Sequence, residues 1–193
     1  ELIRDLHEIL NEDSKLIIFC DGKILYDQVE NTYCFLKNDL NDINQDSPYL
    51  CIANDQKQSI YVIDVTIENQ VLGLFMDPKL ITFVDFRQVL GFLSPDEFKL
   101  LSRASILKSW INNNQFCSIC GNKNTFNSKE GAFDCDCSNQ PKYPSISPCI
   151  ITLIHDGDKV LLGRSKFFPP NMYSTLAGFI EAGENAEEAL IRE

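Results

Sequence analysis

Gly178, Glu184 and the Arg192-Glu193 pair stand at fixed spacings, with five and then seven residues between them and Gly183 inside the first interval. These positions ask for a short strand, a tight loop and a helix, in that order. Tyr173 to Ala177 is short, partly apolar and strand-like, and Gly178 with Gly183 is expected to bracket the loop, because glycine takes positive φ without steric cost. Asn185 is a candidate N-cap, Glu188 completes a capping box, and Glu187 with Glu188 suits the positive end of the helix dipole. Along that helix Ala186, Ala189, Leu190 and Glu193 share one stripe, so Glu193 falls on the face that otherwise meets the core. An inward carboxylate needs a cation, a basic side chain or a metal. A second carboxylate one turn further on would make a hard-oxygen site for Mg²⁺ or Mn²⁺. The plainer alternative, an acidic end on a solvated helix, fits Glu193 alone but does not account for the whole spacing.

Eight cysteines fall into two groups. Cys20, Cys34, Cys51 and Cys149 are isolated in apolar, strand-like runs and read as small buried hydrophobes. Cys117, Cys120, Cys135 and Cys137 are crowded into one short stretch, which reads as a metal site in a reducing compartment rather than a disulfide framework. Phe116-Cys117-Ser118-Ile119-Cys120-Gly121 is a knuckle whose two thiolates can reach one tetrahedral Zn²⁺. The second pair has a single intervening residue, Asp136, a tighter bite that a decayed ribbon would also explain. His7 and His155 lie outside the cluster and are expected to face solvent.

The N-terminal part reads as mainly β. Leu16–Phe19 and Ile24–Tyr26 flank Asp21-Gly22-Lys23, a hairpin cue, and Tyr49–Ala53 and Ile60–Val65 are further strand-like runs. Asn38–Pro48 reads as a polar loop, and Thr66–Ile81 is ambiguous between strand and helix. Ser94-Pro95-Asp96-Glu97 announces a helix with a capping box, carrying an imperfect stripe of Phe98, Leu101, Ser105, Lys108 and Trp110-Ile111 and ending at Asn112–Asn114. Further on, Cys149–Ile154 and Lys159–Leu162 read as strands around the hairpin cue His155–Asp158. The fold class is therefore α+β: a β-rich domain over residues 1–112 ending in a helix, a zinc ribbon over 113–144, and an α/β segment over 145–193.

At 193 residues and 44% hydrophobic content the chain can bury one large core or two small ones. No run of eighteen apolar residues occurs, so no membrane partner is expected, and a cytoplasmic setting is. The first residue is Glu rather than Met, so a preceding segment is expected to have been removed. A net charge of −11 argues against a broad nucleic-acid surface, while a local basic strip around Lys142, Arg164 and Lys166 could still guide an RNA 5′ end.

Taken with Phe86-Arg87-Gln88, Ala104, Trp110, Tyr143-Pro144, Ser147-Pro148-Cys149-Ile150-Ile151 and Leu176–Glu181, the Gly178-to-Glu193 spacing, which matches the front half of the Nudix box, and the knuckle resemble the NADH pyrophosphatase branch of the Nudix hydrolases. The match is close from about Arg87 to Glu193 and general before it. The resemblance implies an N-terminal β-rich domain, a zinc ribbon, a Nudix α/β/α fold and a homodimer. It also implies cleavage of NADH or NAD to nicotinamide mononucleotide and AMP, with NAD-capped RNA as a further substrate. By position, it implies that the Ala177 carbonyl and the Glu193 carboxylate hold Mg²⁺ or Mn²⁺, and that Glu184 and Arg192 keep the loop and helix in shape. Phe179 would stack on a substrate ring, and Arg87, Glu130 and Tyr143 would contact the dinucleotide. On residue type alone these four are equally a core aromatic, a surface cation, a loop acid and a packing aromatic. The family's second zinc pair is separated by two residues, which puts Ser138 where the fourth ligand would stand. The family box continues beyond Glu193, so the chain is expected to stop inside its active site. A Nudix-like module that binds nucleotides or a partner without turnover is the competing expectation.

Overall fold

Five consecutive buried residues, Leu16 to Cys20, mark the middle of the N-terminal sheet in the computed structural model. A strand without polar alternation has to be covered on both faces. The structure describes residues 2–7, 10–40, 49–54, 58–65, 71, 75 and 80–193. Among these, β1 (Leu2–His7), β2 (Lys15–Cys20), β3 (Lys23–Asp27), β4 (Phe35–Leu36), β5 (Tyr49–Asn54), β6 (Ser59–Asp64) and β7 (Ile81–Asp85) form one sheet in the order β1-β5-β6-β2-β3-β7. β2 runs parallel to β6, and β3 and β4 divide one edge of β2 between them, β4 at Lys15 and Leu16, β3 at Phe19 and Cys20. The Asp21-Gly22 cue is a hairpin turn with both residues left-handed, φ 48° and 78°. Residues 41–48 of the expected polar loop, and most of the ambiguous Thr66–Ile81 stretch, lie outside the described residues; Lys37–Asp39 forms a 3₁₀ turn.

Side chains alternate between two cores, one on each face. Leu16, Ile18, Tyr49, Cys51, Tyr61 and Ile63 belong to one. Ile17, Phe19, Leu50, Ile52 and Val62 belong to the other, which is closed by a helix. The chain reaches that helix through α1 (Phe86–Val89), capped by the Asp85 carboxylate on the Arg87 backbone N–H at 2.8 Å, and a 3₁₀ turn over Leu90–Phe92. In α2 (Pro95–Asn113) the expected capping box is present, with the Ser94 N–H donating to Glu97 at 2.9 Å.

The buried stripe of α2 differs from the sequence expectation. Leu101, Ala104, Leu107 and Trp110 face the sheet, whereas Phe98 is half exposed. Ala104, fully buried, lets the helix approach the sheet, and Lys108 lies at the border, its ammonium 4.9 Å from the Phe19 ring centroid and 3.4 Å from Asp64.

The cysteine segment forms a small sheet, β8 (Thr125–Asn127), β9 (Ala132–Cys135) and β10 (Ser138–Lys142), in the order β10-β9-β8. Phe126 and Phe133 pack on Trp110, with ring centroids 6.4 and 5.0 Å away. This segment thus shares the core of the helix and sheet, and residues 1–144 form one compact unit, residues 145–193 another.

In the second unit β11 (Cys149–Thr152) pairs antiparallel with β14 (Leu176–Phe179), and β12 (His155–Asp156) with β13 (Lys159–Val160) around a left-handed Gly157. α3 (Ala186–Arg192) packs on β11 and β14. The strand expected at Tyr173–Ala177 lies three residues later, so Gly178 sits inside it rather than in the loop. Of the stripe Ala186, Ala189, Leu190 and Glu193, only Ala189 is buried, whereas Ala186, Leu190 and Glu193 are exposed. Cys20 and Cys51 are buried as expected and burial pushes the Cys34 thiol up to about 11, but Cys149 is exposed. His155 faces solvent, and half-buried His7 packs edge-on against Tyr61. No helix among the described residues is long and apolar enough to cross a membrane.

Candidate functional site

The four clustered cysteines converge. Their sulfurs lie within 4.8 Å of one another, with Cys117 to Cys137 and Cys120 to Cys135 both at 3.5 Å. Tetrahedral thiolates around Zn²⁺ at about 2.3 Å stand about 3.8 Å apart, so the donor set fits that ion. The knuckle makes this possible: the Gly121 N–H donates to the Cys117 carbonyl at 2.9 Å, Gly121 is left-handed at φ 76°, and the Ile119 N–H points at the Cys117 sulfur at 3.4 Å. Backbone N–H groups of Cys120 and Ile119 draw the Cys117 thiol down, whereas hydrogen bonds with the neighbouring thiols push the Cys137 thiol up. The short Cys135-Asp136-Cys137 spacing is accommodated because Cys135 ends β9 while Cys137 lies in the turn before β10. Ser138, at the family's ligand position, instead has its hydroxyl on the Gln140 N–H at 3.2 Å.

The loop between β14 and α3 is held by ionic and backbone contacts. The Arg192 guanidinium donates to both oxygens of Glu184, at 2.6 and 2.8 Å, and to the Phe179 carbonyl at 2.8 Å. Glu184 accepts from the Glu181 N–H at 3.0 Å, and Gly183 supplies the left-handed residue at φ 89°. Arg192, with help from that N–H, holds the Glu184 carboxyl at about 2, well below the usual carboxylate range. The Asn185–Glu188 capping box then starts α3, each donor–acceptor pair at 2.9 Å. Glu193 closes the arrangement. Its carboxylate accepts from Arg192 Nη1, and its side chain lies against Gly178, where a Cβ would overlap it. The acid is thus turned onto β14, whose Ala177 immediately precedes the glycine, and is still 30% exposed, within reach of an ion and water. A carboxylate beside a strand that offers backbone carbonyls is a hard-oxygen donor set.

Glu130 and Tyr143 meet, the phenol donating to the carboxylate at 2.7 Å, and this bond pushes the Tyr143 hydroxyl up. Arg87 is exposed on α1 in the same compact unit, and Phe179 is exposed on β14 in the other. Of the basic strip, Arg164 is committed to the Phe168 and Pro169 carbonyls, and Lys166 lies over the Phe167 ring. Two features carry no signal in the sequence: the packing of Glu193 on Gly178, and Arg4, whose Nη2 donates to the Glu130 carbonyl at 3.3 Å.

The loop and helix geometry coincides with a family match. Residues 146–193 match the NUDIX domain model. The match covers nearly all of the C-terminal unit. Over a longer stretch the chain is similar to proteins called NAD-capped RNA hydrolase NudC. It is 34% identical to that of Pseudomonas aeruginosa over 142 residues, 74% of this chain and 49% of the relative. It is 39% identical to that of Stutzerimonas stutzeri over 55% of this chain and 39% of the relative. It is 46% identical to that of Pseudomonas entomophila over 51% and 36%. The chain spans about half the length of the curated relatives it matches. With its β-rich N-terminal part and its cysteine cluster, the chain is α+β, as its sequence pattern leads one to expect.

Proposed function

We propose that the natural protein hydrolyses the pyrophosphate of NADH and NAD to nicotinamide mononucleotide and AMP, and removes the NAD cap of RNA. The observation that carries this is the placement of Glu193 over Gly178, in a loop and helix bearing the Nudix spacing. The names of the relatives, NAD-capped RNA hydrolases, support the substrate class.

In this reading the Ala177 carbonyl and the Glu193 carboxylate hold Mg²⁺ or Mn²⁺. A divalent ion bound there would acidify a water and neutralise charge on the diphosphate. Arg192 and Glu184 keep the Glu193 carboxylate aimed at the strand, so that little reorganisation is left for the reaction itself. Phe179 offers an exposed ring face on which a base can stack, and Arg87, Glu130 and Tyr143 contact the dinucleotide. Cys117, Cys120, Cys135 and Cys137 hold a structural Zn²⁺ in a ribbon over 113–144, between a domain over 1–112 and the Nudix segment over 145–193. The protein works as a homodimer in the cytoplasm.

The test is product analysis. The full-length natural protein with Mg²⁺ or Mn²⁺ is expected to release AMP and nicotinamide mononucleotide from NADH and NAD, and to leave a 5′-monophosphate on NAD-capped RNA. Tight dinucleotide binding without AMP release would replace hydrolysis with a binding-only role.

A further inference from the structure

We infer that Arg4 is a positioning residue that reaches from the first strand to fix the Glu130–Tyr143 pair. Four observations meet on this side chain. The pairing of β1 with β5 is irregular between Leu2 and Asp5, and such breaks re-aim side chains. The irregularity is pinned by Arg103, whose Nη2 donates to the Ile3 carbonyl at 2.7 Å and whose Nε donates to the Ile52 carbonyl at 3.2 Å. Arg4 then extends across Trp110, its guanidinium carbon 5.9 Å from the ring centroid. It ends on the β8–β9 turn, donating from Nη2 to the Glu130 carbonyl at 3.3 Å.

The turn is shaped to receive it. Asn127 accepts from the Lys129 and Glu130 N–H groups at 3.1 and 3.3 Å, which sets the turn conformation. Gly131 is left-handed at φ 58°, and a Cβ there would stand 2.9 Å from Arg4 Nε and 3.3 Å from the Arg4 carbonyl. Glycine is therefore required both for the backbone angle and for the approach of Arg4. The Arg4 Nε is buried without a hydrogen-bond partner among the described residues, a cost that the contacts at Trp110 and Glu130 must offset. Glu130 carries its carbonyl to Arg4 and its carboxylate to Tyr143, so movement of the turn moves the pair. The link to turnover rests on the reading that Glu130 and Tyr143 contact the dinucleotide; the positioning itself does not.

Two readouts in the full-length protein separate these parts. The first is the titration of Tyr143, followed by ¹³C-labelled tyrosine NMR and assigned with Tyr143→Phe. If Arg4 positions Glu130, Arg4→Met lowers the Tyr143 pKa towards that of Glu130→Gln, because the hydrogen bond that raises it is lost. If Arg4 is only a neighbouring charge, Arg4→Met raises it, since the Arg4 charge favours the phenolate. A rise or no change overturns the proposal. Arg4→Lys, which keeps the charge but not the planar fork, is expected to lower the titration as well and serves if the methionine variant folds poorly. The second readout is kinetic: Arg4→Met and Tyr143→Phe should each raise KM for NADH about tenfold with kcat nearly unchanged, and the double variant should be no worse than either. If Tyr143→Phe leaves KM unchanged, the pair is not a substrate contact, and the titration alone decides the role of Arg4.

Discussion

The Glu193 side chain rests against Gly178 so closely that a Cβ on residue 178 would occupy the space of the carboxylate. The glycine is not there for its backbone angle, since Gly183 and not Gly178 takes the left-handed conformation in this segment. A strand residue without a side chain gives the helix acid room to lie on the strand. In the proposed hydrolase, Gly178→Ala should push the acid off β14 and reduce kcat by about a hundredfold, the cost of misplacing a catalytic group by roughly 1 Å. The check is the initial rate on NADH with Mn²⁺; an unchanged kcat would mean that the carboxylate does not act from this position.

Arg192 and Glu184 make the acid stability of the loop depend on pH. The Glu184 carboxyl is lowered from 4.5 to about 2 in the folded chain, so it contributes stability that is complete above its unfolded value and is lost as pH falls from about 4.5 to about 2. Glu184→Gln should weaken the loop at neutral pH and flatten that acid limb. Hydrogen exchange of residues 179–186 across the window reports it. An identical acid dependence in wild type and variant would rule out the Arg192 pairing as its cause.

Metal removal should be visible from within the core. Trp110 is the single tryptophan, and the ribbon aromatics Phe126 and Phe133 pack on it, so withdrawing the ion from the four cysteines is expected to shift its fluorescence. One Zn²⁺ per chain should be released. Cys137→Ser should lower zinc content sharply while Ser138→Ala leaves it intact, measured by elemental analysis; the reverse order would restore Ser138 as the fourth ligand.

The start of α2 should behave as an ordinary capped terminus. Ser94→Ala removes the side chain that accepts from the Glu97 N–H at 3.4 Å and donates to its carboxylate at 2.6 Å, and is expected to cost about 1 kcal/mol. Urea unfolding of the first unit measures this. Leu107→Ala, in the buried stripe, should cost about 2–5 kcal/mol, clearly more than Phe98→Ala on the exposed side of the same helix.

Local chemistry was legible without coordinates wherever neighbours in sequence decide it. The Asp21-Gly22 turn, the Ser94 and Asn185 capping boxes, the Cys117–Gly121 knuckle and the spacing from Gly178 to Glu193 all rest on contacts within a few residues or on a strict pattern. What tertiary structure decided is which side of each element finds a partner. α2 turned Ala104 and Leu107, not Ser105 and Lys108, to the sheet, because a small residue at the crossing allows close approach. Cys137 reached the other sulfurs from the turn before β10, and Glu193 found a place on Gly178. Arg4 came to Glu130 across 126 positions of chain. No local pattern encodes such pairs, because their energy depends on surfaces that exist only after each unit has folded.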